Sequence, residues 1–380
     1  MPATVLPETP RHIPPPPTKE NLDFADLAII DLDKYKTAEG RAELVLDVRN
    51  AMSTVGFFYV INHGYTQEQA RHGLRNRSAW LTEVPQTRRI FDIAEIPFRA
   101  SDDEKKKYVA RMKEDGSYQG YKPRQYWHID AGVRDQIEHY NLNPDVTTKE
   151  HPEALRPFLP EISDFARHNH FNVLLPLLRL LALGLELPED TFVEQHKFDA
   201  PSETWIRFMK YYPRSTEDEE KTKNVWLKGH TDFGSLTLLW SQPVSALQIQ
   251  SPDGKWRWVK HMDNALVVNA GEALEFLSGR FYKGTIHRVV QPPADQRGLT
   301  RLGVFFFALT NDDVKLVPLA HSPVLQRVGI VRRCDDDVAP TMEEWRRGRI
   351  AAYGQTTLQQ GQEKGVEEER INGVVVRHYN

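Results

Sequence analysis

From Trp205 to Leu309 the chain repeats one texture: short apolar runs, rich in β-branched and aromatic residues, each closed by turn formers. The runs are Trp205 to Tyr212, Ser235 to Trp240, Leu247 to Gln250, Trp256 to Val259, Ala265 to Asn269, Thr285 to Val290 and Leu302 to Leu309. Ser251-Pro252-Asp253-Gly254, between two of them, is a hairpin signal. Many short strands with turns between them read as a sandwich or closed barrel. The pattern predicts a β-rich core from about Trp205 to Val317, wrapped by helices from the N-terminal half.

Upstream the texture is mixed. Residues Met1 to about Leu22 are Pro-rich, which suits an extended arm, read as a solvated tail in preference to a polyproline ligand. Ala28 to Leu32 reads as a short buried strand, Ala38 to Val55 as a helix, and Gly56 to Ile61 as a strand ended by Asn62-His63-Gly64. Thr66 has the position of an N-cap, with Gln69 as its capping-box partner, and opens a helix toward about Leu81. Asp102 to Tyr108 is a polar helical stretch. The aromatic and charged segment from Gly120 to Leu142 reads as a loop over a pocket. Phe165 to about Leu187 is apolar nearly all round and is predicted to be a helix packed beneath the sheet. A last helix, Met342 to about Tyr353, precedes a charged tail.

Composition excludes several classes of function. Across 380 residues the net charge is −4, so there is no electrostatic footprint for nucleic acid or a membrane surface. The run from Asn172 to Leu187 is broken by Pro176 and Arg179 and is too short to span a bilayer. The lone Cys334 cannot form an intramolecular disulfide, and the first residues show no apolar signal segment, which points to the cytoplasm. There is no internal repeat, Gly-rich phosphate loop or nucleophile elbow.

The chemistry-bearing feature is His230-Thr231-Asp232. In an extended segment positions i and i+2 project to one side, which gives an imidazole and a carboxylate on one face. Composition alone gives about two such pairs by chance, and the chain has His128/Asp130, His151/Glu153, His230/Asp232 and His261/Asp263. Only His230/Asp232 sits at the mouth of a strand in the β core with further chemistry downstream. His287 follows within the run TIHRVV, and Arg301 opens the next apolar run. Two histidines and one carboxylate suit a metal with open positions, and an arginine at the head of an inward strand suits a carboxylate clamp. Alternation puts Phe305 and Phe307 on the Arg301 face, with Phe307 the substrate-contact candidate beside a core-packing role. Tyr126, Trp127, His128 and Tyr140 are the lid candidates.

The order H-x-D, then H-R-V, then an Arg-led strand resembles the 2-oxoglutarate and Fe(II)-dependent oxygenases of the isopenicillin N synthase-like group. GFFYVINHG at Gly56, DDEKKKY at Asp102 and Lys210-Tyr211-Tyr212-Pro213 are similar to other signatures of that group, and the resemblance runs from about Phe24 to about Tyr353. It implies a mostly β fold, a double-stranded β-helix (jelly-roll) core at residues 201–320 with flanking helices. Residues 1–23 are then a Pro-rich arm, 24–200 an N-terminal α/β region packing on the core, and 321–380 a C-terminal helix and charged tail, in a single catalytic unit. It further implies His230, Asp232 and His287 as the Fe(II) ligands, Arg301 as the partner of the distal carboxylate of 2-oxoglutarate, and Tyr212 as a donor to that cosubstrate, with O2 as the other.

Two positions depart from the group's pattern. Gly303 stands where a serine is usual, a loss of about 1 kcal/mol of hydrogen bonding, and Lys210 stands for an asparagine, where it offers a charged donor. The expected reaction is oxidative decarboxylation of 2-oxoglutarate coupled to hydroxylation, desaturation, demethylation or cyclisation of a small, secondary-metabolite type of substrate. A monomer or weak oligomer is expected. An oxidase or cyclase without 2-oxoglutarate and a non-catalytic β-barrel binding protein are the competing readings.

Overall fold

Alternation of side chains along each strand sorts the core into layers. The computed structural model describes residues 7–65, 86–352, 359–361 and 366–379. Its larger sheet has eight strands in the order Ile29–Asp31, Phe57–Ile61, Leu266–Ala270, Leu236–Trp240, Arg301–Ala308, Trp205–Tyr211, Ile137–Leu142 and Gly120–Lys122. The second sheet runs Trp256–Trp258, Leu247–Gln250, His287–Val290, Val225–His230, Val374–Tyr379, Val366–Ile371 and Gln359–Gln360. Phe57, Met209, Leu239, Val267 and Phe305 of the larger sheet meet Leu227, Leu247, Ile249 and Val289 of the other in one interior cluster. Their neighbours Phe58, Phe208, Leu238, Val268 and Phe306 point the opposite way, onto Val48, Leu177, Leu178 and Leu181 of the helices. The larger sheet is thus covered on both faces, which is why its strands read as nearly continuous apolar runs. Two facing sheets around one cluster make a jelly roll.

The helix beneath the sheet is a rod of three parts: Leu159–His168, a π-helical turn Asn169–Leu174, and Leu175–Gly184. Pro176 removes a donor from the rod, and the wider turn accommodates this. It also lets Asn169 accept from Trp240 Nε1 at 3.1 Å while donating to the Phe165 carbonyl at 2.7 Å, tying the rod to the sheet.

Four expectations need correction. The segment from Gly120 is not an irregular loop but the strands Gly120–Lys122, His128–Asp130, Val133–Arg134 and Ile137–Leu142. Polar His139 and Asn141, buried on the inward face beside Ile137, hid the alternation. The strand Val225–His230 was also concealed, by Lys228 and Gly229. The charged tail contains the hairpin Val366–Ile371/Val374–Tyr379, turned by Asn372 and Gly373 with φ of 47° and 77°, the Asn-Gly pair that a type I′ turn requires. The Pro-rich arm is docked, not a free tail. Arg89 Nη1 donates to Thr9 Oγ1 at 2.8 Å, the His12 amide to Asp92 Oδ1 at 2.6 Å, and Gln296 Nε2 to the Pro16 carbonyl at 2.9 Å. The helix expected from Thr66 lies outside the described residues.

Among the described residues no helix is long and apolar enough to cross a membrane. Phe306 is fully buried where the sheet meets the helices. Phe306→Ala is predicted to cost ~3–5 kcal/mol of unfolding free energy, read by denaturant titration. A loss below about 1 kcal/mol would contradict the layering.

Candidate metal centre

His230 ends one strand and His287 begins the next, and antiparallel pairing sets them directly opposite each other. Their ring centroids are 4.5 Å apart. Each Nδ1 faces the carbonyl two residues back, Lys228 at 2.8 Å and Thr285 at 3.1 Å. A carbonyl only accepts, so each Nδ1 carries the proton and each Nε2 presents a lone pair. Those lone pairs converge on Asp232 Oδ1, 3.8 Å from His230 Nε2 and 3.7 Å from His287 Nε2. The other oxygen, Oδ2, accepts from Thr237 Oγ1 at 2.6 Å and Asn269 Nδ2 at 2.8 Å, which fixes the carboxylate plane. All three ligand atoms lie within 4.8 Å of one another, in the one such cluster among the described residues.

Electrostatics favour the ligating forms. Burial, then the neighbouring His287, push His230 down to about 3, so its ring is neutral. Burial works against the charge on Asp232, but His287, His230 and the two hydrogen bonds outweigh it and hold the carboxyl below its ordinary value. The loop that carries Asp232 is clamped by the next strand's end. The Glu272 amide donates to the Asp232 carbonyl at 2.7 Å and the Gly271 amide to the Ser235 carbonyl at 2.9 Å. A β-carbon at Gly271 would meet the Gly234 carbonyl oxygen at 2.3 Å, so this close approach needs glycine. Two imidazoles, each with Nδ1 committed to a carbonyl, and a carboxylate, all with their ligand atoms turned to one point, fit a non-haem Fe(II) ion with positions left open.

Arg301 opens its strand on the same cavity and is 2% exposed, with neither Nε nor Nη1 hydrogen-bonded. Its guanidinium lies over the Tyr211 ring at 5.2 Å, its ladder partner on the adjacent strand. A buried cation without a counter-charge is costly, and a carboxylate entering the cavity would supply one. Leu227, Leu247 and Val289 form an apolar wall around it, while Phe305, Phe307 and Arg207 line the remainder. The Phe305 ring fills the space that a side chain at position 303 would occupy, 2.5 Å from an added β-carbon, which accounts for Gly303.

A family profile described as the 2OG-Fe(II) oxygenase superfamily matches residues 205–309, and one described as the non-haem dioxygenase in morphine synthesis N-terminal region matches 27–161. The chain belongs to the 2OG-Fe(II) oxygenase superfamily. It is similar to the 2-oxoglutarate-dependent dioxygenase FG08081 of Gibberella zeae, 37% identical over 166 residues, which are 43% of this chain and 48% of that protein. Homoarginine-6-hydroxylase 2-ODD-C23 of Glycine max is 28% identical over 327 residues, 78% of this chain and 89% of the relative. A full-length Neurospora crassa protein, solved in complex with alpha-KG and 5-formyluracil, shares the fold at TM-score 0.68 and 20% identity, over 86% of this chain and 96% of that one. The protein is accordingly an Fe(II)/2-oxoglutarate-dependent dioxygenase whose cosubstrates are 2-oxoglutarate and O2.

Within this oxygenase the structure brings His230, Asp232, His287, Arg301 and Phe307 to one cavity. Tyr212 and Lys210 are not there. Opposite Arg301 stands Tyr211, so the residues on either side of it face outward. Tyr212 donates to Glu138, and Lys210 pairs with Glu95 at 2.7 Å. Tyr211 is the tyrosine that lines the cavity beside Arg301, and burial pushes its phenol up to about 12, which keeps it a neutral donor. The lid candidates also fall elsewhere. Tyr140 is buried with its hydroxyl 2.7 Å from His151 Nδ1, on the helical side of the sheet. His128 is exposed at the start of a strand, and Tyr126 is half-buried against the interior cluster, neither lining the cavity. His261 is spent on Asp263, at 2.9 Å.

Beside Phe307 in the cavity wall stands Arg207, whose guanidinium lies 4.8 Å from the Phe307 ring and whose Nε donates to Asn141 at 2.7 Å, while Trp205, outside the lining, stacks on Phe307 at 5.1 Å. Counting alternate positions along Trp205–Tyr211 would have found Arg207 and Tyr211; nothing in the sequence pointed to Thr237 or Asn269. Removing both donors to Asp232, with Thr237→Val and Asn269→Ala together, is predicted to weaken Fe(II) binding by about 10–100-fold in anaerobic titration. Unchanged affinity would contradict the role assigned to them.

Proposed function

We infer that His230, Asp232 and His287 hold the iron, that Arg301 and Tyr211 hold 2-oxoglutarate, and that a small organic substrate is oxidised on the Phe307 and Arg207 side of the same cavity. The observation that carries this reading is the buried Arg301 guanidinium with two unpartnered nitrogen groups, set in the wall of the cavity that contains the triad. When bound, iron supplies the redox chemistry that splits O2, one atom going into succinate as 2-oxoglutarate loses CO2 and the other serving oxidation of a substrate C–H bond.

The chain's own residues bind, orient and keep water out. Arg301 pairs with the distal carboxylate of the cosubstrate, and the Tyr211 hydroxyl, now on the weak acceptor Met209 Sδ at 3.3 Å, is free to turn to it. The apolar side chains of Leu227, Leu247 and Val289 exclude water from the cosubstrate end. The stacked rings of Phe305 and Phe307 offer a flat apolar face, and Arg207 a cation beside it. That pairing suits a planar or acidic substrate of the secondary-metabolite type. The outcome is hydroxylation, desaturation, demethylation or cyclisation, according to which C–H bond lies nearest the metal.

Gly303 favours an oxidase that dispenses with 2-oxoglutarate, since the serine hydroxyl is missing. Against it stands Arg301, which such an enzyme would leave buried without a counter-ion. The near-neutral charge and single cysteine support a cytoplasmic protein, a monomer or weak oligomer, acting on small molecules and not on nucleic acid or membrane surfaces. One catalytic unit is the domain reading, with the jelly roll at its centre.

Arg301→Ala is predicted to raise the 2-oxoglutarate requirement by roughly 2–4 kcal/mol of lost charge pairing, measured as the concentration needed for half-maximal succinate release. An unchanged requirement would move the clamp elsewhere. His287→Ala is predicted to abolish iron binding with an unaltered far-ultraviolet circular dichroism spectrum, and a variant that keeps full turnover would remove the triad assignment.

A further inference from the structure

The strand and loop that carry His230 and Asp232 are held from behind by parts of the chain that the oxygenase reading leaves without a task. Lys228, whose carbonyl orients the His230 ring, pairs through Nζ with Glu367 Oε2 at 2.7 Å. Gly229 is the ladder partner of Tyr379. Thr231, the residue between the two ligands, donates to Glu272 Oε1 at 2.5 Å and offers its carbonyl to Arg349 Nη2 at 3.3 Å. Glu272 and Arg349 are 1% and 2% exposed and meet each other at 3.2 Å. Arg349 Nη1 also lies 3.8 Å from Glu369 Oε1, on the C-terminal hairpin, and Arg333 Nη1 lies 4.0 Å from Glu272 Oε1. The grip on the metal loop is therefore made by Glu272 together with the helix Met342–Ala352 and the hairpin after it, neither of which has a residue in the cavity among those described.

A buried ion pair is a weak source of stability, because desolvating two charges offsets most of their attraction. Apolar packing of the same volume would hold the C-terminal helix as well. What the pair supplies is direction: a bidentate carboxylate and a guanidinium fix both ends of the peptide they bind. Here the carboxylate of Glu272 reaches the side chain of Thr231 while its amide holds the Asp232 carbonyl at 2.7 Å, and Arg349 holds the Thr231 carbonyl. The ladder contact at Gly229 and the ion pair at Lys228 act on the other side of His230. Ligands shifted by a fraction of an ångström lose metal affinity, so a supporting shell of this kind acts on binding and geometry before it acts on folding.

We propose that Glu272 and Arg349 are positioning residues that set the spacing of His230 and Asp232 for the metal, the C-terminal helix and hairpin serving as the brace of the metal centre. The proposal rests on the metal-centre reading above.

The test is an anaerobic titration of the full-length apo protein with Co(II), followed by calorimetry and by the visible d–d absorption, which reports ligand geometry. Arg349→Met and Glu272→Gln are each expected to weaken Co(II) binding about tenfold or more and to shift the d–d bands, with Arg349→Lys recovering part of both. Thr231→Val removes one hydroxyl, leaves the buried pair intact and is expected to act in the same direction. It decides the matter if Arg349→Met does not fold. Arg377→Ala, which breaks the exposed pair with Glu368 on the same hairpin, is expected to leave affinity and spectrum as they were. Folded Arg349→Met or Thr231→Val with wild-type affinity and spectrum would overturn the proposal alone. Wild-type protein that takes up no Co(II) would overturn the metal-centre reading and this proposal with it.

Discussion

The register that sets His287 opposite His230 is the constraint on which the rest of this oxygenase depends. Because side chains alternate along a strand, a slip of one residue would send either imidazole to the far face of its sheet. Burial favours this register: Leu227 and Val289, paired in the same ladder, pack into the interior cluster and line the cavity with the two imidazoles, an irregularity in the ladder separating the two pairs. Two carbonyls then choose the tautomer of each ring, and two side-chain donors choose which oxygen of Asp232 is left for a metal. Hydrophobic packing thus places the ligands, and hydrogen bonding aims them.

A second constraint is the cost of Arg301. A cation in this position lowers the stability of the empty protein, and burial weakens its hold on its proton. Folding energy from two large apolar clusters, one on each face of the larger sheet, carries that cost. The protein is paying in stability for a site that an anionic ligand completes, which is the usual relation between a binding site and the scaffold that holds it. Gly303 belongs to the same arrangement, since the Phe305 ring takes the space that a serine would need and extends the aromatic wall toward Phe307.

The features readable from sequence are those set by short-range periodicity. Most of the strands between Trp205 and Leu309, the helix beneath the sheet and the shared face of Arg301, Phe305 and Phe307 follow from spacings of two and of three to four residues. The H-x-D pair is visible for the same reason. The features not readable are those set by pairing between distant segments. Which tyrosine of Tyr211-Tyr212 faces the cavity depends on the neighbouring strand, where Tyr211 stands against Arg301. Tyr140 looked like a lid residue because the polar inward faces of His139 and Asn141 disguised a sheet strand as a loop. The Asn372-Gly373 pair, with both φ values positive, turns a hairpin inside a segment whose charges read as a tail. The docking of the Pro-rich arm depends on acceptors and donors far away in the chain, at Asp92 and Gln296.

The central claim is that one cavity holds iron on three side chains and 2-oxoglutarate on Arg301 beside it. The most direct measurement adds Fe(II) and then 2-oxoglutarate to the apo protein without oxygen, and records the visible spectrum. The account predicts a weak metal-to-ligand charge-transfer band that grows in only when both are present, as expected for chelation of the metal by the cosubstrate. Iron bound with no band at saturating 2-oxoglutarate would contradict it.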